Sequence, residues 1–474
     1  MNRIHKIIAI VFLLAGTTVG ISSCTKTDIG PNLDVSPDPS FGLDPSKAIN
    51  SAEGMQNLLN SCYDACANMM GGQFQVLSDL LADDVTRPLN NDGNATAVYN
   101  RSGAQFNGLT NSAYSQPYYT IYRVNVMDLY YDKVSFAAGE KERLQGEAAF
   151  LRALCHFETV KLWAQPAGYT TGNTHLGIIE RTRAKNEVVL RTSVADNYNL
   201  VINDLQKAIS LLPESNGVYA NKNAAKALLA KVYFTMGNYT DALTLLNEVI
   251  GAGYTLSDSL NRFVRADVES EIIFGFVTTG SAYDINSRAS GFKSNYRNDL
   301  STPVLGVSSE LYTLLSSDTT DKRGRFLTII NPGQANEIKA STKFNMNNFA
   351  TPYLTLTDML LMRAEIYALQ GNSSSAITDL GLIVKRAYGE TSTKYVSLSG
   401  LSGQALVDEV RLQRRLEMHL EGDRLTQLKR IGAFHASATK IRNAPWNCPG
   451  MVLQFPASAG TVKGFIFNPE GGCN

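Results

Sequence analysis

Apolar residues recur at helical spacing through most of this chain. Between residues 141 and 163, Leu144, Ala148, Leu151 and Cys155 repeat at steps of four, three and four, which places them on one face of a helix. The same kind of pattern predicts further helices at residues 46–69, 115–134, 194–212, 224–236, 239–250, 354–369, 373–387, 403–420 and 423–431. Because this period dominates, we predict an all-α fold.

Long polar stretches separate these helices. Notable examples are residues 83–113, 278–303 and 331–351, which are rich in Gly, Asn, Ser and Tyr. Loops of that length are uncommon in a compact domain unless they carry function. We therefore expect binding residues in these stretches.

One sequence pattern occurs twice with identical spacing. Its copies are Ala230, Tyr233, Gly237, Ala242 and Ala364, Tyr367, Gly371, Ala376. Each copy predicts a helix, a Gly-Asn turn and a second helix, since Gly ends a helix without a Cβ clash and a small Ala lets the helices approach closely. The pattern resembles the tetratricopeptide repeat, in which paired helices stack on a shared core. Because more than one hundred residues separate the copies, we predict tetratricopeptide-like helix pairs interrupted by long irregular loop excursions.

The N-terminal segment has the layout of an export signal. Arg3 and Lys6 precede an apolar run at residues 7–14, which is too short to span a bilayer comfortably. We predict a signal peptide at residues 1–23, with a buried N-terminal helix as the alternative. The small residues that end at Cys24 resemble a bacterial lipobox, and this resemblance implies cleavage that leaves Cys24 as an acylated lipid anchor.

Residues 24–46 are predicted to form a tether. This segment contains several prolines, which favour extended backbone, and lacks helical or strand periodicity. We expect it to hold a single helical domain, residues 47–474, away from the lipid surface.

The charge balance excludes some partners. The chain has 43 Lys and Arg residues against 43 Asp and Glu residues, so its formal net charge is zero. Nucleic-acid binding requires a basic surface, and no such excess exists here. A neutral chain rich in Tyr and Asn suits uncharged ligands better than charged ones.

The cysteines predict no metal site. No Cys-x-x-Cys occurs and the five His residues are scattered, so we expect neither zinc nor another cofactor. Cys62 and Cys66 lie four residues apart in a predicted helix and are expected to be buried. Cys448 and Cys473 share the loop-like C-terminal segment, where they could form a disulfide or remain free thiols.

Four stretches together resemble the SusD/RagB family of Bacteroidetes outer-membrane lipoproteins. Residues 147–157 resemble the family's Glu…Leu-Arg-Ala…Phe helix, and residues 361–365 match its Leu-Met-Arg-Ala-Glu helix. Residues 414–430 resemble its Arg-Arg-x-Glu…Glu-Gly-x-Arg…Leu-Lys-Arg segment, and residues 468–473 one form of its C-terminus.

We interpret the charged segment as structural. Its spacing suits ion pairs along a helix face, between Arg414 and Glu417 and between Glu421 and Arg424.

The resemblance implies a cell-surface nutrient-binding protein, held at the outer membrane by its lipid anchor. Such a protein captures an oligosaccharide, or in some members a peptide, and delivers it to a SusC-like TonB-dependent transporter. Two alternatives stay open. The first is an assembly protein that uses its repeats only for protein contacts. The second is a glycosidase, which needs two carboxylates at a fixed separation across the scissile bond. Asp83 and Asp84 are adjacent in sequence, and neighbouring side chains rarely converge on one bond.

Aromatic side chains in loops are the expected sugar-binding groups, because sugars stack on rings while polar side chains bond their hydroxyls. The resemblance places such rings in loops outside the repeats. Our candidates here are Tyr99, Asn100, Arg101, Phe106, Tyr283, Arg288, Phe292, Tyr296 and Arg297. The alternative for each ring is that it packs its own loop. Trp163 and Trp446 are expected to anchor the core and the C-terminal tail.

Overall fold

The computed structural model describes residues 49–263, 270–277 and 289–473. The predicted signal peptide, the tether with Cys24, and the candidates Tyr283 and Arg288 lie outside the described residues. Among the described residues, no helix combines the length and apolar content needed to cross a membrane.

Helices account for most of the described fold, which confirms the all-α prediction. Their bounds are α1 Ala52–Asn68, α2 Phe74–Leu81, α3 Gly93–Tyr99, α4 Gly108–Asp128, α5 Glu140–Trp163, α6 Val194–Leu211, α7 Lys222–Thr235, α8 Tyr239–Ile250, α9 Ser290–Tyr296, α10 Ser309–Ser316, α11 Leu356–Leu369, α12 Ser373–Tyr388, α13 Thr393–Ser397, α14 Gly403–Glu417 and α15 Asp423–Phe434. Every helix predicted from periodicity is present, and most of them have shifted ends. The largest shift is at the start of α4, which begins at 108 instead of 115.

Short antiparallel strand pairs occupy the connections between helices. The strands are β1 Leu176–Ile179, β2 Arg191–Ser193, β3 Ile272–Phe276, β4 Leu327–Ile330, β5 Ile338–Ser341, β6 Thr351–Thr355, β7 Lys440–Ile441 and β8 Ala444–Pro445. The pairs are β1 with β2, β3 with β6, β4 with β5, and β7 with β8. Strands this short leave little periodicity in the sequence, so the helical pattern did not reveal them.

The long helices stack in sequence order. Helices α4, α5, α6, α7 and α8 each pack on the next, and α8 then packs on α11, which contacts α12 and α14. Residues 251–355 separate α8 from α11 along the chain, yet the two helices are neighbours in space. The excursion therefore leaves the stack and returns to the position at which it left.

Both repeat copies form the predicted helix pairs. Gly237 and Gly371 end α7 and α11 with φ of +73° and +78°, a backbone conformation that a Cβ disfavours. Ala242 and Ala376 are fully buried where the second helix of each pair meets the first. The two copies are thus adjacent pairs of one stack.

Helix α11 is buried between two apolar clusters. Met359, Met362 and Ile366 join the large core that includes α1–α8, whereas Leu361 and Ala364 face a smaller core shared with α12 and α14. A helix with apolar residues on all sides is expected in such an interior position.

The charged segment, residues 414–430, runs from the end of α14 into α15 and is structural, but its ion pairs differ from those predicted. Arg414 does not pair with Glu417. It bonds Asp358 and Asp423, at 2.6 Å and 2.8 Å. Arg424 pairs with Asp83 instead of Glu421, at 2.9 Å.

A buried network accounts for the two glutamates. Glu417 accepts hydrogen bonds from Arg262, Arg323 and Arg386, and Glu421 accepts from Arg262 and Lys343. The predicted pairs fail because α14 ends at Glu417 and the chain then turns into the interior. A charge placed there requires several partners, and distant parts of the chain supply them.

Candidate functional site

Two of the predicted ligand-binding rings lie in the protein interior. Phe292 and Tyr296, both on α9, are 0% and 1% exposed. Phe292 packs on the kink between α1 and α2, where a Cβ at Gly72 would lie 2.1 Å from the Phe292 backbone nitrogen. Tyr296 donates its hydroxyl to Asp79 at 2.7 Å. These rings therefore present no face to a ligand, which corrects the prediction for both.

Of the other candidate residues that the structure describes, some have side chains bound by internal contacts and others have side chains exposed to solvent. Arg101 is buried and donates to two backbone carbonyls, so its role here is structural. The half-buried ring of Tyr99 has the Arg442 guanidinium 3.8 Å from its centroid. Asn100 is exposed, and Phe106 is 85% exposed.

Arg297 is also held in place. It bonds both carboxylate oxygens of Asp299, at 2.6 Å and 2.9 Å. This local pair occupies the guanidinium, so Asn100 and Phe106 are the described candidates left most open to solvent.

A cleft of about 250 Å³ opens where four segments meet. They are the loop after α5, the start of β2, the segment after β8 and the C-terminal tail. We call it the tail cleft, and its polar and aromatic lining includes Gln165, Tyr169, His175, Arg191, Asn447 and Phe467. Its size and its mixture of rings and amides are those of a small-molecule site.

The tail that forms one wall is fixed covalently and by hydrogen bonds. Cys448 and Cys473, whose pairing the sequence left open, form a disulfide in the structure. The Asn468 amide donates to the carbonyls of Trp163 and Leu453, both at 2.8 Å. These contacts give the cleft a wall whose position is set before any ligand arrives.

The exposed Phe106 loop lies against the same tail. Gln105 donates its amide to Glu470 Oε1 at 3.2 Å, two residues after Asn468. Phe106 therefore projects from a loop that is tied to the tail.

Both tryptophans have the structural roles expected from the sequence. Trp163 is fully buried and donates its indole N–H to the Gln454 carbonyl at 3.2 Å. Trp446 is 6% exposed and packs so closely on Gly432 that a Cβ there would lie 2.3 Å from its ring. Neither indole is open to a ligand.

The aromatic edge of the tail cleft consists of a tyrosine and a histidine. The Tyr169 ring is 41% exposed and meets His175 edge to face, with centroids 5.1 Å apart. Burial lowers the pKa of His175, so the imidazole is neutral at pH 7. Its Nε2 lies 3.0 Å from the Gln165 carbonyl, which requires the proton on that nitrogen, and its Nδ1 lies 2.9 Å from the Thr170 hydroxyl.

The described lining of the cleft also includes one cationic side chain, Arg191. Burial lowers the pKa of Arg191 to about 10, so the guanidinium remains protonated at neutral pH. It crosses from β2 to the tail, donating to the carbonyls of Gly177 and Ile466 and to the Asn468 side chain. The guanidinium thus both binds the wall together and brings a positive charge to the cleft.

Sequence reasoning missed Tyr169, His175, Arg191 and Asn447. A signal existed, because residues 165–175 form a turn-rich segment with an aromatic residue directly after a strongly predicted helix. That segment is shorter than the loops on which the prediction relied.

The described residues hold no group of three or more His, Cys, Asp or Glu side chains placed to bind a metal ion. The adjacent Asp83 and Asp84 are bonded to Arg424 and Arg415 respectively. Those contacts give the acidic pair a structural role.

The structure is that of a helical-repeat protein with a preformed surface cleft lined by rings, amides and a cation. A family model described as "Starch-binding associating with outer membrane" matches residues 32–234, and a model described as "SusD family" matches residues 279–453. The two matches together span most of the chain. The chain belongs to the SusD/RagB family.

Solved structures share this fold. A SusD superfamily protein from Bacteroides thetaiotaomicron VPI-5482 is 22% identical, with a TM-score of 0.75 over 89% of this chain and 100% of that one. One from Bacteroides vulgatus ATCC 8482 is 20% identical, with a TM-score of 0.75 over 88% and 99%. A laminarin-binding SusD-like protein is 22% identical, with a TM-score of 0.69 over 88% and 98%. No functionally curated protein matches the chain.

Proposed function

We propose that this protein is a lipid-anchored cell-surface binding protein. It captures an oligosaccharide in the tail cleft and delivers it to a SusC-like TonB-dependent transporter. The observation that carries the proposal is the preformed cleft, in which the half-exposed ring of Tyr169 borders amide side chains. Family membership and the laminarin-binding structural neighbour support a glycan as the ligand.

The cleft suits sugar recognition for two physical reasons. The face of an aromatic ring packs against the apolar C–H face of a sugar, and amide groups both donate to and accept from its hydroxyls. Asn447 lines the cleft, and its side chain makes no hydrogen bond within the described residues. It is therefore available to a hydroxyl group without breaking an internal contact.

No catalytic step is part of the proposal. Proteins of this fold include one named for laminarin binding. Among the described residues, no carboxyl side chain lines the tail cleft, so none is placed there to act as a glycosidase acid or base. Binding without turnover is the role that fits these groups.

Calorimetry of the purified full chain against a panel of oligosaccharides and peptides tests the binding role. We expect a saturable glycan response that Tyr169→Ala weakens about tenfold, since loss of a stacking ring removes roughly 1 kcal/mol or more. Tyr219→Ala is the matched control, because that tyrosine is 38% exposed and, like Tyr169, packs edge-on against a neighbouring ring, in its case Tyr63. Phe106→Ala asks whether the site extends past the tail.

Three outcomes would change the proposal. Absence of binding across the panel would favour the assembly role. Peptide binding without glycan binding would change the ligand class. Glycan binding that Tyr169→Ala leaves intact would place the site elsewhere, with Tyr283 and Arg288 as the next residues to replace.

The anchor and the partner need separate tests. We expect Cys24→Ala to release the protein from the outer-membrane fraction, because the thiol that carries the acyl chains is lost. We also expect the wild-type protein to co-purify with a transporter encoded beside it. Failure of either result would remove that part of the proposal and leave the binding role intact.

A further inference from the structure

Arg191 differs from the arginines of the buried ion-pair network. Arg262, Arg323 and Arg414 each bond at least one carboxylate, at 2.6 Å to 3.1 Å. Within the described residues, Arg191 donates only to backbone carbonyls and to the Asn468 amide oxygen. Its positive charge is therefore not neutralised by an acidic side chain.

A cation without an acidic partner at the wall of a cleft favours an anionic ligand. Holding a charge partly out of water costs free energy, and a nearby anion reduces that cost. Among the described residues, the side chains of the cleft lining include Arg191 and no carboxylate, so the charge in direct reach of a bound ligand is positive. This local charge exists although the whole chain is neutral.

One donor of the guanidinium has no hydrogen-bond partner among the described residues. Of its five N–H groups, Nε donates to Gly177, and Nη2 donates to Leu176 and to Asn468. Nη1 donates one hydrogen to Ile466, which is on the exposed tail. The second N–H of Nη1 makes no hydrogen bond within the described part of the chain, so a ligand could accept it without breaking an internal bond.

We infer that the ligand of the tail cleft is an acidic oligosaccharide, whose carboxylate lies beside Arg191 while a sugar ring stacks on Tyr169. This inference rests on the proposed function and names its substrate class. It replaces the expectation of an uncharged ligand, which was based on net charge. Net charge is a sum over the whole chain and does not describe a single cleft.

Pairs of probes that differ only in charge test the inference. Oligogalacturonate, oligomannuronate and glucuronoxylan oligosaccharides are each titrated beside their methyl-esterified or carboxyl-reduced forms. We expect at least one acidic probe to bind the full chain at least about tenfold more tightly than its neutral form, a ratio that corresponds to about 1.4 kcal/mol. Raising the salt concentration should weaken binding of the acidic probe and leave binding of a neutral probe unchanged.

A charge variant locates the effect without removing Arg191, whose loss would release the tail. Asn447→Asp adds a negative charge to the cleft at nearly constant size. We expect this variant to bind the acidic probe about tenfold or more weakly than the wild type does. Asn443→Asp makes the same chemical change on an exposed turn outside the cleft, and is expected to leave binding unchanged.

The outcomes separate this inference from the proposed function. The inference of an acidic ligand is overturned if a neutral glycan binds as tightly as its acidic counterpart. It is also overturned if the two Asn→Asp changes have equal effects on binding. Either result leaves the proposed capture of a glycan intact. Binding of acidic peptides without acidic glycans also overturns it. No response to any glycan removes the inference and the proposed function together.

Discussion

Replacing Glu417 with Gln removes a buried charge while keeping the size of the side chain. The carboxylate is 1% exposed and accepts hydrogen bonds from Arg386 at 2.8 Å, Arg262 at 3.1 Å and Arg323 at 3.2 Å. The amide cannot neutralise these cations, and its NH₂ group opposes their donors. We expect a large loss of stability although no apolar contact is removed.

The magnitude follows from the pKa of Glu417. Burial alone would raise it, but Arg386, Arg323 and Arg262 outweigh burial and lower it from 4.5 to about 2. The difference corresponds to about 3 kcal/mol in favour of the charged form, close to the roughly 3–5 kcal/mol lost when a buried ion pair is broken. Because the folded-state pKa is depressed, this stabilisation is complete above pH 4.5 and is lost as the pH falls towards 2.

Urea unfolding of the full chain, followed by circular dichroism at pH 7, measures the loss. Glu390→Gln is the control, since Glu390 is 64% exposed and its pair with the half-exposed Lys385 should contribute little. At pH 3 the difference between wild type and Glu417→Gln should narrow. A loss below about 1 kcal/mol at pH 7, or one equal to that of Glu390→Gln, would refute the reasoning.

Three further changes test other parts of the structure by the same unfolding assay. Lys429 is buried with no hydrogen-bond partner for its amine among the described residues, and burial lowers its pKa to about 7. The free energy of unfolding of the wild type should therefore rise from pH 7 to 9. Lys429→Met should flatten that rise and add about 2 kcal/mol to the free energy of unfolding at pH 7. A variant with the same rise as the wild type would contradict this reasoning. Cys448→Ser should cost about 3 kcal/mol, because the disulfide joins residues 25 apart, and reduction of the wild type should reproduce the loss. Gly432→Ala should lower the free energy of unfolding by about 2 kcal/mol, because the new Cβ displaces Trp446. Gly400→Ala is the control and should leave stability unchanged, because the space around a Cβ at that position is open. Equal effects of the two changes would contradict the packing argument.

The helices were predictable because each leaves its own period in the sequence. Residues 239–250 were predicted as one helix and form α8 with those bounds. The repeat copies were also readable, since a Gly at a fixed distance before a small Ala specifies a turn and a close approach within a few residues. No distant partner is needed for either inference.

The ion pairs were not predictable, because the partner of a buried charge is set by the tertiary fold. Spacing favoured Glu417 for Arg414, but α11 brings Asp358 to 2.6 Å of Arg414 from 56 residues away. In the network around Glu417 and Glu421, burial favours the arrangement in which each charged side chain has a partner, and residues distant in sequence supply those partners.

Sequence alone thus determined the helical class, the repeat pairs, the family resemblance and the structural role of the charged segment. Only the tertiary structure decided which loop aromatics are exposed. It buries Phe292 against a glycine kink and Tyr296 beside Asp79, leaves Phe106 and Tyr169 open, and assembles the tail cleft from segments as far apart as residues 165 and 469. The physical reason is range: periodicity and turn chemistry act over a few residues, whereas exposure, ion pairing and cleft shape depend on contacts between segments hundreds of residues apart.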